Sequence, residues 1–374
     1  MAEYEEQRMN IHKIVITGGP CAGKTTAMSW IQNAFTKRGY RVLFVPETAT
    51  ELITGGVAPW TCGTNLDYQK CQMRLQLEKE AIFEQAAATM DVPKILIVCD
   101  RGALDNKAYM TDEEFAQVMD HLGTNEVALR DTYDAVFHLT TAAKGALEAY
   151  TLSNNAARTE SPEQAAALDD QLLASWTGHP HLRIIDNSTD FEGKLERVIA
   201  EILSFLGEPE PFEIERKYLI RYPDLARLES LPNCEKVDIV QIYLRSDDDT
   251  QIRIRKRGSN GHYIYYRSEK RRVTAMRRIE VEDRLSEDEF QKLQANADPT
   301  ARPIRKTRYC LTENNLYYEI DIYPEWSRQA VLELELRSEA DEVVFPKGIE
   351  VIREVTGDDR YKNYSLAHHM LDEM

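Results

Sequence analysis

From Glu213 onward the chain repeatedly sets ionisable side chains two residues apart. EIERKYLI carries Glu213, Glu215 and Lys217, QIRIRKR carries Arg253 and Arg255, and RRIEVED carries Arg278, Glu280 and Glu282. IRKTRY carries Lys306 and Arg308, YEIDIY carries Glu319 and Asp321, and LELELR carries Glu333 and Glu335. Successive side chains of a strand point to opposite faces, so each charged row shares one face and the intervening apolar residues share the other. With VDIVQIYLRS and HYIYYRSEK, whose Lys270 extends the set, the pattern predicts about eight antiparallel strands joined by short loops. A single strand of this kind also suits a sheet with one solvated face. The repetition, with bases and acids grouped by strand, predicts that the charged face lines an interior. Eight strands suffice to close a barrel around one small ligand. Enclosed charges are costly unless paired, metal-bound or compensated by a ligand, and a polyanion with a divalent cation satisfies both signs. The apolar face then needs covering by helices such as SEDEFQKLQANA, by the N-terminal half or by another subunit.

At 374 residues the chain exceeds the size at which one core stops growing, which predicts two domains. The amphipathic KLERVIAEILSFLG is followed by GEPEP, a helix end and two prolines, so the division is expected at about Glu208 to Pro211, giving domains 1–207 and 212–374. A net charge of −17 argues against general nucleic-acid binding but leaves room for local basic pockets. The six cysteines show no CxxC pairing or His-rich spacing, so reduced thiols are expected rather than a zinc site or disulfide scaffold. No apolar run reaches the length of a membrane span, and MAEYEEQRMN lacks the order of a secretory signal, so the expected location is cytoplasmic.

In the first half, KIVITGGPCAGKTTAMSWIQNAF predicts a buried strand over Lys13–Thr17, a glycine loop and a helix. The loop fits G-x-x-x-x-G-K-[ST], and the nucleotide contacts expected from it are Gly18, Gly19, Cys21, Ala22, Gly23, Lys24, Thr25 and Thr26. Glycines let backbone N–H groups converge on phosphate oxygens at the positive end of the helix. Lys24 is placed to bridge the β- and γ-phosphates of ATP or GTP, and the Thr25 hydroxyl to ligate Mg²⁺. RVLFVPETAT and KILIVCDRG predict parallel strands whose C-terminal ends carry Glu47, Asp100 and Arg101. Asp100 is the candidate carboxylate for the metal shell, Arg101 a phosphate contact and Glu47 a base; the alternative for each carboxylate is helix capping. AVFHLTT and LRIIDNS complete a five-stranded βαβ series. Arg158, in the polar stretch between them, is a candidate lid arginine or an ordinary solvated one. No NKxD-type motif is visible, which leaves the base open.

ITGGPCAGKTT, with VPE and CDRG following, resembles nucleoside and nicotinamide-riboside kinase-like members of the P-loop class over about residues 11–205. Glu213-x-Glu215-x-Lys217, the later pairs and the closing TGDDRYKNYSLA resemble the CYTH domain, the triphosphate tunnel fold, over about residues 212–374. The resemblance therefore implies an α/β P-loop domain with a parallel sheet, followed by an α+β CYTH domain with an eight-stranded antiparallel tunnel barrel. It implies phosphate binding by Lys217, Arg253, Arg255, Lys270, Lys306 and Arg308, with Arg278 in the same basic set. It gives Mg²⁺ or Mn²⁺ to Glu213, Glu215, Glu333 and Glu335, with Glu280, Glu282, Glu319 and Asp321 as further acidic candidates. Catalytic roles fall to Glu213, Glu215 and Lys217 in the tunnel and to Glu47, Asp100 and Arg101 at the P-loop. Lys362 is either a lid contact or surface charge. The fused arrangement resembles the eukaryotic family that includes the TRPL translocation defect protein, described as a nucleotide- and phosphoinositide-binding trafficking factor. The resemblance thus implies two function classes: a metal-dependent triphosphate hydrolase joined to a nucleotide-binding kinase or NTPase domain, or a nucleotide-switched protein that captures a phosphoinositide. Pairing into a homodimer is a further implication.

Overall fold

The structure is a computed structural model of the chain, and it describes residues 10–149, 161–208, 214–246, 250–272, 278–336 and 343–373. It separates into two compact units, Met1–Phe212 and Glu213–Met374. The first contains, in order, β1 (Asn10–Thr17), α1 (Lys24–Thr36), β2 (Arg41–Val45), α2 (Thr48–Thr54), α3 (Asn65–Ala88), β3 (Lys94–Asp100), α4 (Asp112–Leu122), α5 (Glu126–Arg130), β4 (Ala135–Leu139), α6 (Pro162–Trp176), β5 (Leu182–Ile185) and α7 (Phe191–Phe205).

The five strands form the parallel sheet that the βαβ spacing predicts, and their order is β2-β3-β1-β4-β5. Apolar residues fill both faces because helices lie on both. Ile14 and Ile16 pack with Ile31 and Phe35 of α1 and with Leu195, Val198 and Ile202 of α7. Lys13, Val15 and Thr17 take the opposite face by strand alternation. The central β1 delivers its loop to the C-terminal edge of the sheet, where strand order reverses and ligands bind. Gly18 has φ 139°, and a Cβ there would lie 2.0 Å from the carbonyl oxygen of Leu139 at the end of β4. That neighbour is main chain and cannot swing aside.

The second unit contains β6 (Ile214–Arg221), α8 (Leu225–Glu229), β7 (Cys234–Leu244), β8 (Thr250–Ser259), β9 (His262–Arg272), β10 (Arg278–Leu285), α9 (Glu287–Leu293), β11 (Ile304–Glu313), β12 (Leu316–Ile322), β13 (Gln329–Leu336), β14 (Val351–Glu354) and α10 (Asn363–His368). Its strands make one antiparallel sheet of nine, in the order β10-β9-β8-β7-β11-β12-β13-β6-β14. The count exceeds the expected eight by β14, a four-residue edge strand paired to β6 with a shifted register, too short to show alternation in sequence. Among the described residues β10 and β14 remain the two ends of this order, so the sheet is not closed into a barrel.

The apolar face is covered from within the unit. Tyr218, Ile220, Tyr309, Tyr318, Ile320, Leu332 and Leu334 pack with Leu225 and Leu228 of α8 and with Phe345 and Ile349. Ile242, Leu244 and Ile254 pack under Phe290 of α9, a helix started by a capping box of Ser286 and Glu289. One end of the other face is covered by Tyr361, Leu366 and Ala367, which meet Leu219, Tyr243, Tyr323 and Val331.

Gly18→Ala should lower first-unit stability by at least about 2–3 kcal/mol, the range of a forced core clash. Gly39→Ala, at φ 84° with open space around the added Cβ, should cost only the about 1–2 kcal/mol of left-handed backbone. Equal losses in urea melts would show that the loop has slack against β4.

Candidate functional site

In the first unit the P-loop leads into α1 through Gly23, which sits in the left-handed region at φ 92° and provides no side-chain cap. The first-turn N–H groups of α1 therefore have no capping side chain and are available to an anion. Lys24 Nζ donates to the Gly18 carbonyl at 3.0 Å, closing the loop on itself. Burial, then the Arg101 guanidinium, brings the Lys24 pKa down to about 8. Thr25 and Thr26 are exposed at the loop's mouth, Cys21 adopts φ 57° and Ala22 is buried against the sheet. The Gly19 N–H is already committed, donating to Asp169 Oδ1 of α6 at 2.8 Å.

The strand ends bring Glu47, Asp100 and Arg101 together with Lys24. Arg101 Nε donates to Glu47 Oε1 at 2.6 Å, and the Thr50 hydroxyl donates to Glu47 Oε2 at 2.6 Å. Glu47 occupies the N-cap position of α2 but makes no side-chain cap bond, so its carboxylate serves Arg101 instead. Burial would raise its pKa; Arg101 and Lys24 outweigh that and hold it at about 2. Asp100 differs: burial lifts its pKa and Glu47 adds to the lift against Lys24. Its Oδ1 is buried and lacks a hydrogen-bond partner, as is Arg101 Nη1. An orphaned carboxylate oxygen beside Lys24 fits a divalent cation, which Thr25 and Asp100 would hold and which would neutralise phosphate charge.

Behind these groups stands a buried polar layer that the sequence did not announce. Asp169 accepts from Gly19, from the Thr141 amide at 3.2 Å and from Lys144 Nζ at 2.9 Å, with the His138 ring at 3.2 Å. Burial opposes its charge, but His138 and Lys144 hold its pKa well below the usual carboxylate range. Lys13 pairs with Glu80 and Glu84 at 3.3 and 2.5 Å, and Glu80 accepts from Tyr133 and Gln76. Asp105 accepts from Thr17, from the Gly102 amide and from Trp176. A lysine in a largely apolar strand was the one sequence signal, since Glu80 and Asp169 lie on helices that carry many other polar residues.

In the second unit the register sets Glu333 between Lys217 on β6 and Glu319 on β12, and sets Arg308 opposite Asp321. Glu319 directly opposite Glu333 is a like-charge pair that a sheet tolerates poorly. Arg308 resolves it, reaching Glu319, Asp321 (Nε to Oδ1, 2.7 Å) and Glu333 (Nη2 to Oε2, 2.9 Å). Lys306 pairs with Asp321, and Lys217 lies 2.7 Å from Glu333 and 3.6 Å from Glu215. The Asp321 and Lys306 side chains are 0% and 3% exposed, so this face is interior. Burial pushes both acids up, yet Arg308 and Lys306 hold Asp321 far down, and Lys217, Lys306 and Arg308 hold Glu333 down against Asp321. Glu215 moves up, through burial and Glu333.

The basic side is crowded. Burial, then Arg253, lowers Arg255, and burial, then Arg308, lowers Lys306. Arg255 finds Glu282 at 3.5 Å, which also accepts from the Ser268 hydroxyl at 2.6 Å. Arg253 bonds the Tyr243 hydroxyl. Lys362 is half-exposed and pairs with Asp359 at 2.5 Å. Among the described residues no three His, Cys, Asp or Glu side chains gather as a metal site, and Asp321 and Glu333 are paired with Lys and Arg side chains. Glu213 and Arg158 lie outside the described residues, as do the side chains of Lys270, Arg278, Glu280 and Glu335.

Residues 13–194 match the family model AAA_28, described as an AAA domain, which spans just under half of the chain. Among solved structures the chain is similar to the inorganic triphosphatase NE1496, at 28% identity over 43% of this chain and 97% of that one, with a TM-score of 0.32. It is also similar to the PH1012 protein of Pyrococcus horikoshii OT3 and to an adenylyl-cyclase candidate from Hippeastrum described as having a dominant triphosphatase activity. Each of these is 15% identical over 33% of this chain and 80% of the other, with a TM-score of 0.25. No curated protein matches the chain. No helix among the described residues is long and apolar enough to cross a membrane.

Two expectations follow from the electrostatics. Phosphate oxygens would raise the Lys24 pKa from about 8, so nucleotide binding takes up a proton at alkaline pH, and affinity should fall by up to about tenfold per pH unit above 8. Calorimetry in buffers of different ionisation enthalpy reads that uptake directly. Asp321→Ala leaves Lys306 and Arg308 buried without their shared acid and should cost about 3–5 kcal/mol in denaturant melts. Asp321 and Glu333 titrate lower in the folded chain than unfolded. The stability they contribute is therefore present above the unfolded carboxylate range and is lost as pH falls through the folded values, a loss that Asp321→Ala should blunt.

Proposed function

We propose that the second unit binds a triphosphate or similar polyanion and hydrolyses a terminal phosphoanhydride bond, and that the first unit binds ATP or GTP at its P-loop as an NTPase or kinase-like domain. The observation that carries the reading is the interior face on which Arg255 and Lys306 are pushed down by burial and by neighbouring cations. Such crowding is relieved by an anion of high charge density, and the sequence resemblance to the CYTH domain points to the same ligand. Lys217, Arg253, Arg255, Lys306 and Arg308 would hold non-bridging oxygens. Water adds to the terminal phosphorus and the bond to the bridging oxygen breaks; the proton lost by the water goes to solvent or to the departing oxygen, and the charge on the departing diphosphate is met by the same cations. Closure of the sheet into a tunnel around the ligand, and metal dependence, belong to this proposal. The register sets Glu215 opposite Glu335, a second acidic pair at which a divalent cation would be welcome.

Phosphate release from tripolyphosphate, ATP and GTP should be compared with Mg²⁺, with Mn²⁺ and with chelator. Arg255→Gln should lower tripolyphosphate turnover by about 10²- to 10³-fold, the effect of removing one charge-stabilising donor, while Lys24→Ala leaves it unchanged. Loss in Lys24→Ala alone would move the chemistry to the first unit. No release by the wild-type chain would leave a nucleotide-controlled binding protein for a phosphorylated ligand.

A further inference from the structure

Phe191 opens α7, immediately after the β5 loop, and its side chain is placed where a packing role does not account for it. The residue is 50% exposed. Its ring atoms Cε2 and Cζ lie 2.6 and 3.1 Å from the position a Cβ on Gly23 would occupy. The ring thus rests against the glycine that precedes Lys24 and Thr25, while half of the residue is open to solvent. A large aromatic left half in water beside a phosphate loop is a platform for a flat group attached to those phosphates.

The surrounding loop narrows how that group is recognised. Asp186 accepts from Arg197 Nη1 at 2.8 Å and from the Ser188 hydroxyl at 2.6 Å. Asn187 donates to the Thr141 and Lys144 carbonyls at 2.8 and 2.7 Å and accepts from Lys194 at 2.8 Å. Thr189 accepts from Arg197, and Asp190 caps α7 by accepting from Gly193. The polar side chains between β5 and Phe191 are therefore engaged in hydrogen bonds within the unit. What the loop offers a base is a face for stacking.

We propose that Phe191 is the stacking platform for the base of the nucleotide bound at the P-loop, an assignment that rests on the nucleotide-binding reading of the first unit. Stacking on an aromatic ring is tolerant of base identity because every base has a π-face. Removing the ring should therefore weaken adenine and guanine nucleotides by the same factor.

The test uses the full chain and a fluorescent ribose-labelled nucleotide, taking the binding component that Lys24→Ala abolishes. Displacement by ATP, GTP and inorganic pyrophosphate is then measured in the wild type, Phe191→Ala and Phe191→Trp. Phe191→Ala should raise the ATP and GTP displacement constants together, by roughly five- to a hundredfold, leave that of pyrophosphate unchanged, and be rescued by Phe191→Trp. Unchanged ATP and GTP constants would place the base elsewhere and overturn the proposal. An equal loss for pyrophosphate would reduce Phe191 to a prop for Gly23 and overturn it as well. A wild-type chain without any Lys24-dependent component would remove the nucleotide reading itself, and this assignment with it.

Discussion

The second unit depends on one guanidinium. Arg308 is planar and permanently charged, and it presents donors in several directions, so from β11 it joins Glu319 and Asp321 of β12 to Glu333 of β13. Without it the register would press two glutamates together on an interior face and leave a fully buried aspartate to Lys306 alone. With it, the sheet turns a row of ionisable residues inward while its other face supplies the hydrophobic core. The apolar side drives folding, and the charged side is carried along because its acids and bases are matched in position.

The first unit handles charge differently. Its phosphate cradle is made mainly of backbone, and the side chains around it are poised by mutual influence. Glu47 is fixed as an anion by Arg101 and Lys24, whereas Asp100, one residue before Arg101, is pushed toward its neutral form by burial and by Glu47. Two carboxylates at adjacent strand ends are thereby set apart in acidity, the arrangement in which one positions a cationic partner and the other answers to an incoming cation. Arg101 is held through Nε by Glu47, while its Nη1 has no hydrogen-bond partner.

Much of this was legible in the residues. The five parallel strands follow from apolar runs alternating with helices, though their order does not, and the inward rows follow from period-two charge with a period-two apolar complement. The strand Val351–Glu354 was not legible, since four residues at an edge carry too little pattern. The partners within the charged rows were hidden as well, because alternation fixes a face but not a register. Thus Asp321 and Glu333 read as metal candidates, and only the pairing of β11 with β12 and of β13 with β6 gives them to Arg308, Lys306 and Lys217. Asp169 was missed for a related reason: a polar residue on a helix reads as solvated until tertiary structure brings a loop amide to it.

That amide has a consequence of its own. Since the Gly19 N–H is tied to Asp169, and Gly18 is pinned against the end of β4, the first turn of the loop takes its curvature from intramolecular contacts. The conformational entropy of that turn is surrendered during folding, so a ligand arriving at the later amides meets a preorganised cradle and keeps more of its interaction energy as affinity.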